Sequence, residues 1–214
     1  MEQLSRKIAK RISTTLHYEQ EQEEVIAYGL IAIVQIIVTL FLVSLLGLIF
    51  HVFLQALIVT MSVSILRKYS GGSHASSIEI CTASAVIYSI GSGLIIRYFL
   101  YGLVNMNIMI VLTFVIFISA YWIIYKKAPV DSPNKPIKSA SKIRRMRNGS
   151  FIILTGYLII NALLIYFAAA YSNATILNQY SLSLLFGILW QTSTLTAFSA
   201  KIAEKISTTV YSEK

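Results

Sequence analysis

Residues 25–66 read VIAYGLIAIVQIIVTLFLVSLLGLIFHVFLQALIVTMSVSIL, 42 positions without one Asp, Glu, Lys or Arg. A membrane-spanning helix needs roughly 20 consecutive apolar residues, so this block holds two. Inside lipid the backbone must satisfy its own hydrogen bonds, which makes each span a helix. The turn between them falls near Gly47 to His51 and is tight. Two further blocks repeat the pattern. Residues 80–125 carry Arg97 as their only charge, and residues 148–200 carry none. Their turns fall near Gly102 to Asn107 and near Ser172 to Gln179, where Asn173 and Asn178 favour a reversal. The fold class that follows is all-α: a polytopic integral membrane bundle of about six helices in three hairpins. The spans are expected near 25–46, 51–66, 80–100, 108–125, 151–171 and 180–200. The second is short for a full crossing, so it stops below the interface or is followed by a re-entrant piece.

Composition agrees. Of the 214 residues 56% are hydrophobic and only 13% charged, which excludes a disordered chain and an ordinary soluble enzyme domain. Eighteen Lys and Arg against nine Asp and Glu give a net charge of +9. In a membrane chain that excess reports topology and contact with anionic lipids rather than nucleic acid. The cations lie before span 1, after span 2, between spans 4 and 5 and after span 6, with Arg97 alone on the other side. Both termini are therefore expected in the cytosol. Residues 1–24 lack the apolar core of a cleaved signal peptide. A single cysteine excludes an intrachain disulfide, and three scattered His give no metal-ligand spacing, so no metal or other cofactor is expected.

The chain reads as one membrane domain over 1–214: a cytosolic amphipathic segment 1–24, a bundle 25–200 interrupted by a basic cytosolic loop 126–150, and an amphipathic tail 201–214. The two ends resemble each other. Residues 8–20 (IAKRISTTLHYEQ) and 202–214 (IAEKISTTVYSEK) agree at seven of thirteen positions. Leu4, Ile8, Ile12 and Leu16 recur every fourth residue, as do Ile202, Ile206 and Val210, which places an apolar stripe on each helix for the inner leaflet. The likeness is either shared interfacial composition or a pair of equivalent docking surfaces.

Chemistry concentrates in residues 67–81, RKYSGGSHASSIEIC. Gly71 and Gly72 open backbone conformations closed to other residues. Ser76 and Glu79 form a capping-box pattern, which starts the next helix at Ser77 and puts Cys81 on its second turn. On one straight helix His74 and Cys81 would stand ~10 Å apart along the axis. A glycine turn before the helix brings imidazole and thiol together, the pairing used in nucleophilic catalysis, with the positive helix end favouring thiolate. Plainer readings stand beside this one. A lone membrane cysteine is commonly a small apolar residue. Glu79 is a cap or an orienting group, and Arg67 a topology marker or a substrate contact. Gln191, in the polar run Gln191 to Thr194, is interhelical glue or a hydrogen-bond donor to a bound peptide.

Arg67, Gly71-Gly72, His74 and Cys81, with the basic segment holding Pro129, Pro133 and Asn134-Lys135-Pro136, resemble the accessory gene regulator B (AgrB) family. The resemblance implies a membrane-embedded cysteine endopeptidase of Gram-positive bacteria that removes the C-terminal tail of a quorum-sensing precursor and closes the product into a thiolactone or lactone. Carried onto this chain, it makes Cys81 the nucleophile and His74 its base, and it implies a homodimer. The precursor would be an AgrD-like peptide. Arg67 and the basic residues of 126–147 would suit an acidic tail on it. Two other functions compete. A peptide exporter would show polar or ionisable groups at mid-membrane, where the chain offers Gln35, Asn161 and Gln191 but no acid. A non-catalytic membrane scaffold would tolerate loss of Cys81.

Overall fold

The computed structural model describes residues 2–16, 18–72, 78–100, 102–130, 139–170 and 174–196. They form seven α-helices: α1 (Glu2–Leu16), α2 (Gln20–Ile49), α3 (Phe53–Ser70), α4 (Ile78–Leu94), α5 (Met106–Lys127), α6 (Ala140–Ala170) and α7 (Ala174–Ser193). A π turn, Ile95–Phe99, extends α4. No strand occurs among the described residues.

In α1, Ser5, Ala9 and Ser13 are buried at four-residue spacing, a face of small side chains that packs close on α2. Ile8 and Leu16 point outward. The start of α2 is fixed by its own sequence, for the Glu19 N–H donates to Gln22 Oε1 at 3.2 Å. Its end is fixed by Gly47. A Cβ there would lie 2.9 Å from Phe53 Cα, so only glycine lets α3 begin beside the end of α2. The intervening turn has His51 at φ 57 and is held from α4. The Arg97 guanidinium donates to the His51 carbonyl, and the Tyr98 hydroxyl donates to that of Phe50 at 3.4 Å. The π turn supplies the local rotation that aims both side chains at this corner.

Among the described residues four stretches are long and apolar enough to cross a membrane: Gln22–Ile49, Ile78–Phe99, Met106–Lys127 and Ala140–Ala170. Their outward faces carry Ile37, Phe41, Ile87, Phe114, Ile152 and Tyr166, an apolar surface that water would not accept. The two shorter helices occupy the middle. α3 packs against α2, α4, α6 and α7, while α7 packs against α3, α5 and α6. Surrounded by protein, they need no continuous apolar surface and carry polar pairs instead. Thr60 Oγ1 donates to Ser89 Oγ (2.9 Å), Gln55 Nε2 to Gln179 Oε1 (2.6 Å), and Tyr157 Oη to the Ser62 carbonyl (2.9 Å). Asn161 bridges Thr113 and Ser181. Each bond secures a crossing worth about 0.6–2 kcal/mol in an apolar medium. The apolar core lies between α5, α6 and α7, built on Met109, Phe117, Ile124, Leu154, Leu185 and Ile188.

Three features differ from expectation. The pairs α2–α3 and α6–α7 lie side by side as hairpins, but α4 and α5 splay apart, because α7 inserts its apolar face against α5 where a hairpin partner would sit. α7 starts at Ala174 and ends at Ser193, so Asn178 and Gln179 lie within the helix rather than in a turn; Gln179 is accommodated there by its bond to Gln55. α6 starts at Ala140, so the second half of the basic 126–150 segment is helical; SKIRRMRN contains no breaker, and its first turn closes from Ile143 N–H to the Ser139 carbonyl at 3.1 Å. The expected amphipathic tail 201–214 lies outside the described residues.

Candidate functional site

α3 delivers the site. Its last turn carries Arg67, half-buried, whose charge interacts with the Cys81 thiol on α4 and with the Tyr28 phenol on α2. The helix ends on Gly71, whose N–H donates to the Arg67 carbonyl at 2.9 Å. Gly71 has φ 68 and Gly72 φ 144, both in the region that disfavours side chains. Space forbids side chains as firmly as the backbone does. A Cβ on Gly71 would stand 2.1 Å from the Val130 carbonyl oxygen, and one on Gly72 would stand 2.7 Å from Thr194 Oγ1.

Two other elements grip this exit. The Val130 N–H donates to the Ser70 carbonyl at 2.9 Å, so the segment leaving α5 runs alongside Gly71. That segment is itself anchored, since Arg147 Nε on α6 donates to the Ala128 carbonyl at 2.8 Å. From α7, the fully buried Gln191 donates through Nε2 to Ser70 Oγ (2.9 Å) and to the Gly71 carbonyl (2.7 Å). Thr194 Oγ1 donates back to the Gln191 carbonyl at 2.7 Å. Gln191 Oε1 is buried and unpartnered among the described residues, as is Thr82 Oγ1, the neighbour of Cys81.

Cys81 is the fourth residue of α4 and half-buried; the expected helix start at Ser77 lies outside the described residues. The fold thus gathers Arg67, Gly71, Gly72, Cys81 and Gln191 at one end of the bundle. Glu79 is exposed on the same turn as Cys81. His74 and the cap residue Ser76 lie outside the described residues, as do Pro133, Asn134, Lys135 and Pro136. Among the described residues no group of three or more His, Cys, Asp or Glu comes together to hold a metal. Two contributors escape a reading of the sequence alone: Tyr28 reads there as one more apolar-face residue of span 1, and Val130 has no motif. Thr194 belongs to the polar run expected to bond between helices, and Arg147 to the basic segment expected to face an acidic tail; the structure instead bonds Arg147 to the Ala128 carbonyl.

Chemically, this arrangement puts a thiol within the field of a half-buried guanidinium at one end of an apolar bundle, and it pins the chain at Ser70 and Gly71. The model of accessory gene regulator B matches residues 5–195. The chain belongs to the accessory gene regulator B family. It is 41% identical over 198 residues to "Putative AgrB-like protein 2" of Clostridium perfringens (strain 13 / Type A), covering 92% of this chain and 91% of that protein. It is 39% identical, with the same coverage, to "Putative AgrB-like protein" of Clostridium perfringens (strain SM101 / Type A). No solved structure matches it. Membership and the apolar helices make this AgrB family member a membrane protein, and membership suggests involvement in agr quorum-sensing peptide processing.

Proposed function

We propose that the chain is a membrane-embedded cysteine endopeptidase that cleaves the C-terminal tail from an AgrD-like precursor and cyclises what remains. The observation that carries this reading is the placing of Cys81 within the electrostatic reach of Arg67, beside the pinned Gly71-Gly72 exit, in a chain of this family. His74, two residues beyond Gly72, takes the thiol proton, and Cys81 Sγ attacks the carbonyl at the tail junction. His74 then protonates the departing amine. The product is a thioester acyl-enzyme. A Cys or Ser of the precursor attacks that thioester, releasing Cys81 and closing a thiolactone or lactone. Amide to thioester is uphill, so loss of the tail pulls the first step, while exchange of one thioester for another is nearly isoenergetic.

Arg67 and the positive end of α4 oppose negative charge developing at the reacting centre. Arg67 and Lys142 also suit an acidic tail. Half-burial of Cys81 limits water, which would otherwise divert the acyl-enzyme to a linear acid. In this reading α3 and α7 complete six crossings. At about 27 Å, α3 is slightly under a ~30 Å hydrocarbon core. Both termini are cytosolic, and two copies associate. The buried amides of Gln55 and Asn161 are bonded within the bundle, as expected of packing groups rather than a transport path.

Coexpression with a candidate precursor, read by mass spectrometry, tests the proposal. Wild type should yield a cyclic product and a free tail, while Cys81→Ala and His74→Ala leave the precursor intact. Full processing by Cys81→Ala would end the proposal.

A further inference from the structure

A groove of about 820 Å³ lies on α6 at the same end of the bundle, away from Cys81. Arg144, Arg145 and Asn148 line one part, Ile152 and Ile153 the other, and Tyr69 of α3 forms the back wall. Gly149 makes room for that wall, since a Cβ there would lie 2.3 Å from Tyr69 Cδ1. Lys68 Nζ stands 5.7 Å from the centre of the same ring, adding a third cation at the rim. Among the described residues no acidic side chain lines the groove.

The polarity changes along the helix axis. Arg144, Asn148 and Ile152 follow at four-residue spacing, as do Arg145, Gly149 and Ile153. From Arg145 to Ile152 is about 10 Å of helix. The polar layer between water and hydrocarbon is roughly 5–8 Å deep on each side of a bilayer. The groove therefore runs from headgroup level into the hydrocarbon. Its apolar part does not close. Ile152, Ile159 and Tyr166 share one face of α6 and are 70%, 57% and 65% exposed, a stripe suited to acyl chains.

We infer that this groove binds an anionic phospholipid, its phosphate between Arg144 and Arg145 and its acyl chain along Ile152 and the stripe beyond. A soluble acidic peptide would pair with the arginines but leave Ile152 against water or displace lipid from it, so the observations favour the lipid. Occupancy also reaches the site. The wall residue Tyr69 immediately precedes Ser70, which Gln191 and Val130 hold, so a bound lipid buttresses the α3 exit.

The test is native mass spectrometry of the detergent-purified full chain, titrated with phosphatidylglycerol or phosphatidylcholine of matched acyl chains. Wild type should retain phosphatidylglycerol preferentially. At about 1 kcal/mol per cation, Arg144→Gln with Arg145→Gln should weaken that binding about thirtyfold. The pair Lys7→Gln and Lys10→Gln, which removes the same charge from α1, should change it little. Asn148→Trp, which fills the groove and keeps both arginines, should lose the lipid too, and guards against a folding defect in the arginine variant. Equal affinity for the two lipids, or unchanged binding in the Asn148 variant, would overturn the proposal. So would displacement of the lipid by micromolar oligoglutamate, which marks a peptide site, or by soluble glycerophosphoglycerol, which marks a free anion site.

Discussion

Gln191→Leu isolates the contact by which α7 holds the exit of α3. The substitution nearly conserves volume and keeps the helix, but deletes both bonds from Nε2, to Ser70 Oγ at 2.9 Å and to the Gly71 carbonyl at 2.7 Å. A buried carbonyl left without its donor costs about 1–3 kcal/mol. Ser70 Oγ has other bonds, donating to the Leu66 carbonyl at 3.0 Å, so its loss is smaller. Against this, leucine removes the unpartnered Oε1, an orphan whose own penalty is then relieved. The two effects act in different places. Relief of the orphan stabilises α7, whereas the lost bonds loosen residues 70–72. Global stability should therefore change by less than about 1 kcal/mol, while the local opening of 70–72 should become easier by about 1–2 kcal/mol. Hydrogen exchange reads the two separately. Peptides covering Gly71, Gly72 and Val130 should exchange roughly five- to thirtyfold faster, and those covering Leu182 to Ile188 should not. Gln191→Glu should be worse, since it sets a buried carboxyl oxygen against the Gly71 carbonyl. Unchanged exchange at 70–72 in the leucine variant would show that Gln191 does not hold this segment. Uniformly faster exchange would show a structural role only.

Three further outcomes are expected. Gly72→Ala meets both a φ of 144 and Thr194 Oγ1 at 2.7 Å, so thermal unfolding in detergent should show a loss of about 1–3 kcal/mol, and Thr194→Ala should recover only the steric part. Gly187→Ala drives a Cβ to 1.8 Å from Ser62 Oγ at the crossing of the central helices; its destabilisation of about 1–3 kcal/mol should be largely reversed by Ser62→Gly, whereas a lack of recovery would place the clash elsewhere. Because Cys81 is the only cysteine, alkylation reports on it alone, and at neutral pH both His74→Ala and Arg67→Gln should slow labelling at least several-fold if imidazole and guanidinium activate the thiol; equal rates would remove that activation from the mechanism.

The fold was legible where lipid imposes the rule. Residues 25–66 must be apolar throughout because α2 turns most of its surface outward, so the charge-free block and the Gly47 corner locate two helices without any knowledge of their neighbours. The same rule fails for α7, which meets protein on most sides. Its Asn178 and Gln179 look like turn residues because, alone, a polar amide at that depth has nothing to bond. For Gln179 the partner that makes it acceptable, Gln55, sits 124 positions earlier, and no local pattern can supply it; Asn178 Oδ1 stays buried without a partner among the described residues. The splaying of α4 from α5 was hidden for a related reason. Two spans joined by a short connector predict a hairpin, and only the apolar face of α7 says what takes the partner's place.

The site divides along the same line. Arg67 and Cys81 are fourteen residues apart, at the end of one helix and the start of the next, and the glycine pair that ends α3 announces that break in the sequence. What holds that geometry comes from far away: Gln191 from α7, Val130 from the end of α5, and Arg147 behind Val130 through Ala128. This division has a mechanistic consequence. The thiol and its cation stand on α4 and α3, which pack against each other, while the Gly71-Gly72 exit is held from three separate elements. A shift of α7 or α6 of an ångström would leave Arg67 and Cys81 in register with each other and move the start of the His74 segment. Substitutions at the distant anchors should therefore uncouple the two: Cys81 keeps its environment, and the general base loses its position. Arg147→Gln offers the cleanest case. It should leave alkylation of Cys81 slowed only as far as His74→Ala slows it, yet lower precursor processing about tenfold or more, and equal processing with wild type would mean that the α5 exit segment needs no anchor from α6.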